Sequence, residues 1–376
     1  MTSRQPIRVL VVDDSVVLRE LLGEIIDSDP GFTVVAKARD GEDALKKVER
    51  YQPDVVTLDV QMPRMDGLET LDRLLESNPV PVIMVSALTT RDTDVTLQAL
   101  DRGAMDYIAK PTDLKSAHDE FRAHLIPKLR AVAGADVQRI LRIRRTKKRR
   151  LQQARTPDTA ANRELSDRYA NCCIAIGIST GGPPALSSVF EALVPPLPPI
   201  VVVQHMPANF TEAFARRLDS IAPIAVKEAA TGDRLVPNAA YIAPGGRHLV
   251  LRRGPNHTLL RVKPGEPVSG HKPSVDVMMK SVAEHFGDRC VGVIMTGMGH
   301  DGVDGCAAIC AAGGYVLGQD QATSDVYGMN RAAYVAGHVH EQFPLQKLAE
   351  LLSKTCQQRF AATAGPTLAG TAPAPR

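Results

Sequence analysis

The sequence predicts two α/β domains in series. The first is a doubly wound five-stranded parallel sheet, and the second is a mainly parallel α/β sheet with an antiparallel hairpin. Two observations predict this: short, continuously apolar segments alternate with helical periodicity over residues 7–130 and again over 171–358, and a basic, polar stretch separates them. Continuously apolar strands are typical of parallel sheets covered by helices on both faces. We therefore expect domains at 1–130 and 170–358, a linker at 131–169 and a disordered tail at 359–376.

Composition limits the class of protein. With 376 residues and 44% hydrophobic content, the chain can bury two or three ordinary cores, and a net charge of +3 defines no partner class. No segment approaches the roughly 18 apolar residues of a membrane helix, and no leader pattern opens the chain. The six cysteines form no CxxC pair with partner histidines, which favours buried thiols over a zinc site. We expect a cytoplasmic protein without membrane insertion.

The first domain is predicted from five strand and helix alternations. The helical segments are Leu18–Ile26, Asp43–Arg50, Leu68–Leu75, Thr93–Leu100 and Leu114–Leu129. The strands are Arg8–Val12, Thr33–Ala36, Val55–Leu58, Val82–Val85 and Met105–Ile108. Because ligands bind at the carboxyl ends of such strands, polar residues at those ends are candidates for function.

Polar side chains stand at four of these strand ends: Asp13 and Asp14 after the first, Asp59 after the third, Ser86 after the fourth and Lys110 after the fifth. Three carboxylates brought together would repel one another unless a cation lay among them, and Mg²⁺ prefers oxygen ligands.

Asp59 is then a candidate phosphoryl acceptor, with Lys110 offsetting charge and the Ser86 hydroxyl holding a phosphoryl oxygen. A cis Lys110–Pro111 bond would help to turn the lysine into the site. Any one of these acids taken alone could instead be a solvated loop carboxylate. The occurrence of the whole set of polar residues at successive strand ends argues against that alternative.

Three motifs carry a family resemblance: Val11-Val12-Asp13-Asp14-Ser15, the segment from Leu58 to Gly67, and Ala109-Lys110-Pro111. They resemble the receiver domain of two-component response regulators, which has a flavodoxin-like fold. The resemblance implies phosphorylation of Asp59, Mg²⁺ held by Asp13, Asp14 and Asp59, and a switch through Ser86 and Tyr107. Tyr107 could equally be an ordinary strand aromatic.

The run from Arg139 to Arg150 in the predicted linker is densely basic. Such a block is either a solvated linker or a contact for an anionic partner. Neither a helix-turn-helix nor an aromatic stacking platform accompanies it, so we expect no specific nucleic acid as partner.

The second domain is predicted from strands at Cys173–Ile176, Ile200–Val203, Val291–Met295 and Tyr315–Leu317, with antiparallel strands within Tyr241–Val262. The first strand leads into Gly177-Ile178-Ser179-Thr180-Gly181, a G-x-S-x-G pattern that presents a serine on a strand-to-helix turn. Such a turn also suits phosphate binding.

Two later strand ends favour a nucleophile over a phosphate site, because His205 follows the second strand and Asp301 follows the strand ending at Met295. A serine needs a histidine to take its proton and an acid to orient that histidine. Other histidines compete for the base, most of them in turns or on helical faces where surface positions are expected. His300 is the serious rival since it adjoins Asp301. The other competitors are His248, His257, His271, His285, His338 and His340.

The segments Ser179–Gly182, Gln204–Pro207, His271–Asp276 and Thr296–Gly302 resemble the catalytic domain of the chemotaxis protein-glutamate methylesterases. That resemblance implies Ser179 as nucleophile, His205 as general base and Asp301 as its orienting acid, with Thr180 and Met298 at the oxyanion site. Ile178 and His300 depart from the residues usual in the family, while the three triad residues are kept.

The resemblance also implies what the protein acts on. It implies hydrolysis of glutamate methyl esters on methyl-accepting chemoreceptors, deamidation of glutamines, and a chemotaxis histidine kinase as phosphodonor. The esterase itself would need no cofactor, and the protein would be peripheral to receptor arrays. Two alternatives are a phosphorylation-gated adaptor without catalysis and a nucleic-acid-binding regulator that uses the basic linker.

Overall fold

The computed structural model describes residues 5–87, 89–111, 118–133, 135, 137–138, 160–254 and 257–360, and every structural statement below concerns those residues. They form two parallel sheets, one of five strands and one of seven, and a separate two-stranded antiparallel hairpin. The predicted fold class is confirmed.

The five-stranded sheet has the order β2-β1-β3-β4-β5, and every neighbouring pair is parallel. Its strands are β1 (Ile7–Val12), β2 (Phe32–Ala38), β3 (Val55–Asp59), β4 (Val82–Ser86) and β5 (Asp106–Ala109). Its helices are α1 (Val16–Asp27), α2 (Gly41–Tyr51), α3 (Gly67–Ser77), α4 (Thr90–Arg102) and α5 (His118–Val132).

The seven-stranded sheet has the order β14-β13-β12-β6-β7-β9-β8 and is parallel throughout. Its strands are β6 (Cys173–Ile178), β7 (Ile200–Gln204), β8 (Ala225–Glu228), β9 (Ala239–Ile242), β12 (Cys290–Ile294), β13 (Tyr315–Gln319) and β14 (Glu341–Phe343). The hairpin consists of β10 (His248–Arg253) and β11 (Thr258–Lys263).

Seven helices accompany this second sheet and hairpin. They are α6 (Ala160–Tyr169), α7 (Gly182–Glu191), α8 (Ala208–Ile221), α9 (Val275–Phe286), α10 (Val303–Ala311), α11 (Met329–Val335) and α12 (Leu348–Phe360), and short 3₁₀ helices lie at Gly287–Arg289 and Leu345–Lys347. None of the described helices has the length and apolar character needed to cross a membrane.

The structure corrects two predictions in detail. The segment from Tyr241 begins inside β9, which joins the main sheet in parallel, so among the described strands β10 and β11 form the antiparallel pair. The Lys110–Pro111 bond is trans, since the cis bonds among the described residues are Pro195–Pro196 and Lys272–Pro273. β9 was mistaken for a hairpin strand because a Gly/Pro turn directly follows it.

The predicted domain boundaries remain a prediction. Helix α6 occupies the last ten residues of the predicted linker, and Tyr169 at its end is buried with its ring 6.4 Å from that of Phe360 in α12. The basic run and the tail beyond Phe360 lie outside the described residues.

The core explains why these segments became parallel strands. The central strands β1, β6 and β7 bury apolar side chains on both faces, as strands covered by helices on each side must. One buried cluster is continuous from the first sheet to the second, because α4 lies against α7 and α8. The two domains are therefore joined by buried apolar contacts between their helices as well as by the connecting chain.

Gly67, at the start of α3, allows a close approach that no other residue type could make. A Cβ there would overlap the carbonyl oxygen of Asp59 and lie 2.9 Å from the Cα of Val60. The backbone of α3 can thus approach the end of β3, where the Gly67 N–H donates to Val60 O at 3.0 Å.

We expect Gly67→Ala to lower the free energy of unfolding by about 1–3 kcal/mol, because the added methyl overpacks rigid backbone. The measurement is urea unfolding followed by circular dichroism. Gly31→Ala is the matched control, since a Cβ there would meet only the side-chain ends of Asp29 and Arg130. Equal losses in the two variants would contradict the overpacking argument.

Candidate active site and phosphorylation site

The three acids predicted for the first sheet lie together at its carboxyl edge. Oxygens of Asp13, Asp14 and Asp59 are all within 4.8 Å of one another, and Asp13 and Asp59 are buried. The Lys110 Nζ lies 2.8 Å from Asp59 Oδ1 and 3.0 Å from Asp13 Oδ2. The three acids lie where the strand order reverses between β1 and β3. Ligand sites are expected at this point of a doubly wound parallel sheet.

These residues fit a divalent cation. Burial, and the Asp13 carboxylate beside it, raise the pKa of Asp59 to about 6, against the opposing effect of Lys110. Three carboxylates with one lysine leave an excess of negative charge on hard oxygen donors, which is the donor set that Mg²⁺ takes. Asp13, Asp14 and Asp59 are the residues that would hold it.

Two of the predicted switch residues, Ser86 and Tyr107, make side-chain contacts that do not involve the three acids. The Ser86 hydroxyl accepts a hydrogen bond from Thr96 Oγ1 at 2.7 Å and donates toward backbone carbonyls at 3.1 Å or more. The Tyr107 ring is buried 4.4 Å from the ring of Phe210, a residue of α8. The predicted role of Ser86 at a phosphoryl oxygen would thus require its hydroxyl to turn.

Ser179 stands immediately after β6, as the G-x-S-x-G pattern predicts. The Ser179 N–H donates to Thr296 O at 3.0 Å, and the Ser179 carbonyl accepts from Gly182 N at 2.8 Å and from Gln204 Nε2 at 3.0 Å. Gly181 has a φ of +77°, a left-handed conformation that glycine adopts without strain. These bonds hold a tight turn from β6 into α7, which leaves Ser179 half-buried at the sheet edge.

His205 and Asp301 meet as predicted. β7 and β12 flank β6, so the residues after these strands lie on either side of Ser179. The His205 Nε2 lies 2.8 Å from Asp301 Oδ2, while His205 Nδ1 is buried and has no hydrogen-bond partner among the described residues. With Nε2 carrying the proton toward Asp301, Nδ1 is left as a lone pair that can accept a proton.

Asp301 is fully buried, and helix α9 holds its charge. Its carboxylate accepts from Ser274 Oγ and Val275 N at 2.8 Å each and from Asp276 N at 3.0 Å. Burial alone would raise the pKa of Asp301, but the hydrogen bond from His205 and those from the start of α9 hold it below its usual range. The positive end of a helix macrodipole acts in the same direction.

A second histidine is stacked on His205. The rings of His205 and His271 are stacked with centroids 3.7 Å apart and planes at 8°. Burial, the neighbouring His205, and the basic side chains of His124 and Lys128 lower the pKa of His271 to about 4, against the attraction of Asp301. His271 is therefore a neutral ring at neutral pH. The rival base His300 is exposed.

Two backbone donors near Ser179 remain available. Among the described residues, the N–H groups of Thr180 and Met298 have no acceptor. Gly297, next to Met298, packs against Ser179 so closely that a Cβ would lie 2.7 Å from the Ser179 Cβ. Free donors beside a nucleophile are what an oxyanion requires, so the predicted positions suit that role.

The first sheet covers this edge of the second. The Thr180 hydroxyl donates to Asp106 Oδ2 at 2.7 Å, and Lys128 Nζ lies 2.8 Å from Asp106 Oδ1. A further contact between the two domains is the ion pair between Arg217 of α8 and Asp101 of α4. Together with the Tyr107–Phe210 ring contact, these bonds place β5, α4 and α5 beside the serine turn.

Comparison with known proteins follows the division between the two sheets. The family model of the response regulator receiver domain matches residues 9–122, and that of the CheB methylesterase matches residues 174–352. A curated relative from Xanthomonas campestris, named protein-glutamate methylesterase/protein-glutamine glutaminase 1, is 43% identical over 96% of this chain and 100% of its own. The chain belongs to the CheB methylesterase family. The resemblance seen in the sequence is thereby confirmed.

Other similar proteins extend the comparison beyond one genus. A Syntrophotalea carbinolica relative with the same protein name is 42% identical over 94% of this chain and 98% of its own. The crystal structure of the Thermotoga maritima CheB methylesterase catalytic domain is 36% identical, covers 49% of this chain and 98% of its own, and superposes with a TM-score of 0.48.

Sequence reasoning missed three features of this site. It grouped His271 with histidines of turns, it assigned no role to Ser274 beside Asp301, and it did not foresee the Thr180 hydroxyl bonded to Asp106. The signal for Ser274 was local, since a serine before an apolar helical run is a typical N-cap and the Ser274 hydroxyl accepts from Val277 N. No local signal indicates the His271 stack or the Thr180 bond, which depend on tertiary contacts.

The lowered pKa of His271 predicts a pH dependence of stability. Between about pH 6.5 and 4 the unfolded chain binds a proton at this residue and the folded chain does not, so the free energy of unfolding falls as the pH falls. Replacement by His271→Asn removes that titration, and its stability should decline less steeply than that of the wild type over this window.

The check is the urea midpoint at half-unit pH steps. His300→Asn serves as the control because His300 is exposed beside the same site. The argument fails if His271→Asn and the wild type have parallel pH profiles.

Proposed function

We propose that this protein is a phosphorylation-activated protein-glutamate methylesterase that hydrolyses glutamate methyl esters on chemoreceptors and deamidates receptor glutamines. The observation that carries the proposal is the pair of His205 and the buried Asp301 beside Ser179, with His205 Nδ1 unpartnered. The names of the relatives point to the same two activities.

The chemistry is a two-step acyl transfer. Ser179 Oγ attacks the ester carbonyl as His205 Nδ1 takes its proton, and Asp301 stabilises the imidazolium that forms. Methanol leaves with that proton, and water then hydrolyses the acyl-enzyme by the reverse route. An amide enters the same sequence and releases ammonia. General-base catalysis of this kind contributes about 10²–10⁴-fold to the rate.

The oxyanion of each step is assigned to the backbone N–H groups of Thr180 and Met298. Their lack of an internal acceptor supports the assignment, since donors aimed at a developing charge act without reorganisation. Loss of one such donor typically costs about 10²–10³-fold in kcat.

Regulation is assigned to the first domain. Asp59 accepts the phosphoryl group, and Lys110 would pair with a phosphoryl oxygen in place of the carboxylates it now contacts. Bound Mg²⁺ would offset the phosphoryl charge. Phosphorylation then biases the contacts of β5, α4 and α5 with the serine turn toward opening, which is a shift between two populations.

The partners follow from this function. A chemotaxis histidine kinase supplies the phosphoryl group, and methyl-accepting chemoreceptors supply the substrate. The protein would work in the cytoplasm at receptor arrays without inserting into the membrane and without a specific nucleic acid partner.

The decisive activity test compares wild type with Ser179→Ala in releasing labelled methanol from methylated chemoreceptor membranes. We expect a loss of at least about 10³-fold in kcat, because the nucleophile is gone while the fold is kept. Ser188→Ala on α7 is the matched control. Equal release from wild type and Ser179→Ala would remove the esterase proposal, and signalling that survives Ser179→Ala would favour the phosphorylation-gated adaptor.

A separate variant tests the gate. We expect Asp106→Ala to raise methanol release without phosphodonor by about 10-fold, because a charged hydrogen bond to Thr180 and an ion pair to Lys128 are lost. Phosphodonor with Mg²⁺ should then stimulate the variant less than the wild type.

Glu76→Ala, an exposed acid on α3, is the control for the gate. An Asp106→Ala protein with unchanged basal release would show that the contacts at Thr180 do not restrain the esterase.

A further inference from the structure

The hairpin of β10 and β11 has one apolar and one basic face. Leu249 and Leu260 point to the same side and are buried in the core of the second sheet. The chain at Arg234 forms an antiparallel bridge with Leu259, which extends the hairpin by a third segment. On the opposite side His248 is buried at the base of the hairpin, whereas Arg234, Arg252 and Arg261 are exposed.

Cations occupy that outer side. Residues directly opposite in an antiparallel pair point to the same face, and the outer pairs are His248 with Lys263, Val250 with Arg261, and Arg252 with Leu259. Arg234 joins the last pair through its bridge with Leu259. We name as the basic face Arg234, Arg252, Arg261 and Lys263, of which the three arginines are exposed.

The basic face has no internal counter-charge. Within the described parts of the chain, none of its four side chains makes an ion pair, while Asp233 beside it is paired with Lys227 at 2.8 Å. Surface cations elsewhere do find acids, as Arg73 does with Glu69 and Arg216 with Glu212. Like charges gathered on one sheet face disfavour folding slightly, so the arrangement gains from an external anion.

The base of the hairpin lies beside the residues that hold Asp301. His248, opposite Lys263 at the base of the hairpin, accepts from Ser274 N at 3.3 Å, and the Ser274 hydroxyl bonds to Asp301. At about 3.4 Å per residue, Arg261 lies about 7 Å and Arg252 about 14 Å farther out along the strands. After Lys263 an exposed loop leads directly to His271 on the catalytic histidine.

We propose that the basic face binds an acidic segment of the substrate protein next to the glutamate whose ester Ser179 cleaves. This proposal rests on the proposed function. It assigns to the basic face the recognition of the substrate segment. Each hydrolysis leaves a glutamate carboxylate, so a segment with several modifiable side chains becomes an anion that complements these cations. Charges at such a surface act on encounter and register more than on chemistry.

The test is the double variant Arg252→Glu/Arg261→Glu. On detergent-solubilised methylated receptor we expect KM to rise by about 10-fold or more with kcat unchanged, and kcat/KM to lose most of its salt dependence. On a short neutral peptide that carries one glutamate methyl ester, both constants should equal those of the wild type.

Lys46→Glu/Lys354→Glu is the matched control. It makes the same change in charge at two exposed positions outside the hairpin, one on α2 and one on α12. Its constants on the receptor should stay at the wild-type values, which would assign the effect to the basic face and not to net charge.

The remaining outcomes overturn one claim each. An unchanged KM on solubilised receptor in the hairpin variant removes the basic-face proposal and leaves the esterase intact. An unchanged KM there, together with lost binding to vesicles of anionic phospholipid, would assign the face to lipid instead. Failure of the wild type to release methanol from the methylated receptor would instead remove the proposed function itself.

Discussion

The arrangement around the nucleophile depends on one buried charge. Asp301 has no exposure to solvent, and a carboxylate in such a place would normally take up a proton. The hydrogen bond from His205 and the donors at the start of α9 together keep it ionised. In the proposed mechanism this ionised carboxylate holds the His205 Nε2 proton and so leaves Nδ1 as the base. The position of α9 thus helps to set the tautomer of His205, which directly follows β7.

The same helix is tied back to the segment between β12 and α10 that carries Asp301. Asp276, in the first turn of α9, accepts from Gly302 N and Gly305 N at the start of α10. The start of α9 therefore receives the Asp301 carboxylate from the segment before α10, and the start of α10 receives the Asp276 carboxylate from the first turn of α9. Neither helix can shift without exposing a buried acid. This reciprocal capping makes the acid and base of the site a rigid unit, while the serine turn is the part that the first domain contacts.

The sequence predicted the parallel strands and their polar ends well, because both follow from local patterns. Continuous apolar runs such as Cys173–Ile178 indicate buried strands, and residues after parallel strands must share an edge, which brings Asp59 to Lys110 and His205 to Asp301. The His271 stack and the Thr180–Asp106 bond could not be predicted in the same way. Each joins residues more than 60 positions apart through packing that no short pattern records.

The contact between the two sheets covers the serine turn unevenly. Thr180 is buried under Asp106, whereas Ser179 beside it remains partly open to solvent. Under the proposed regulation, the first domain would exclude a protein segment, which needs the whole edge of the sheet, more than a small electrophile, which needs only Ser179. A covalent serine-directed compound could therefore enter the inactive form as well as the active one, so chemical labelling of Ser179 would count enzyme molecules without distinguishing their signalling state.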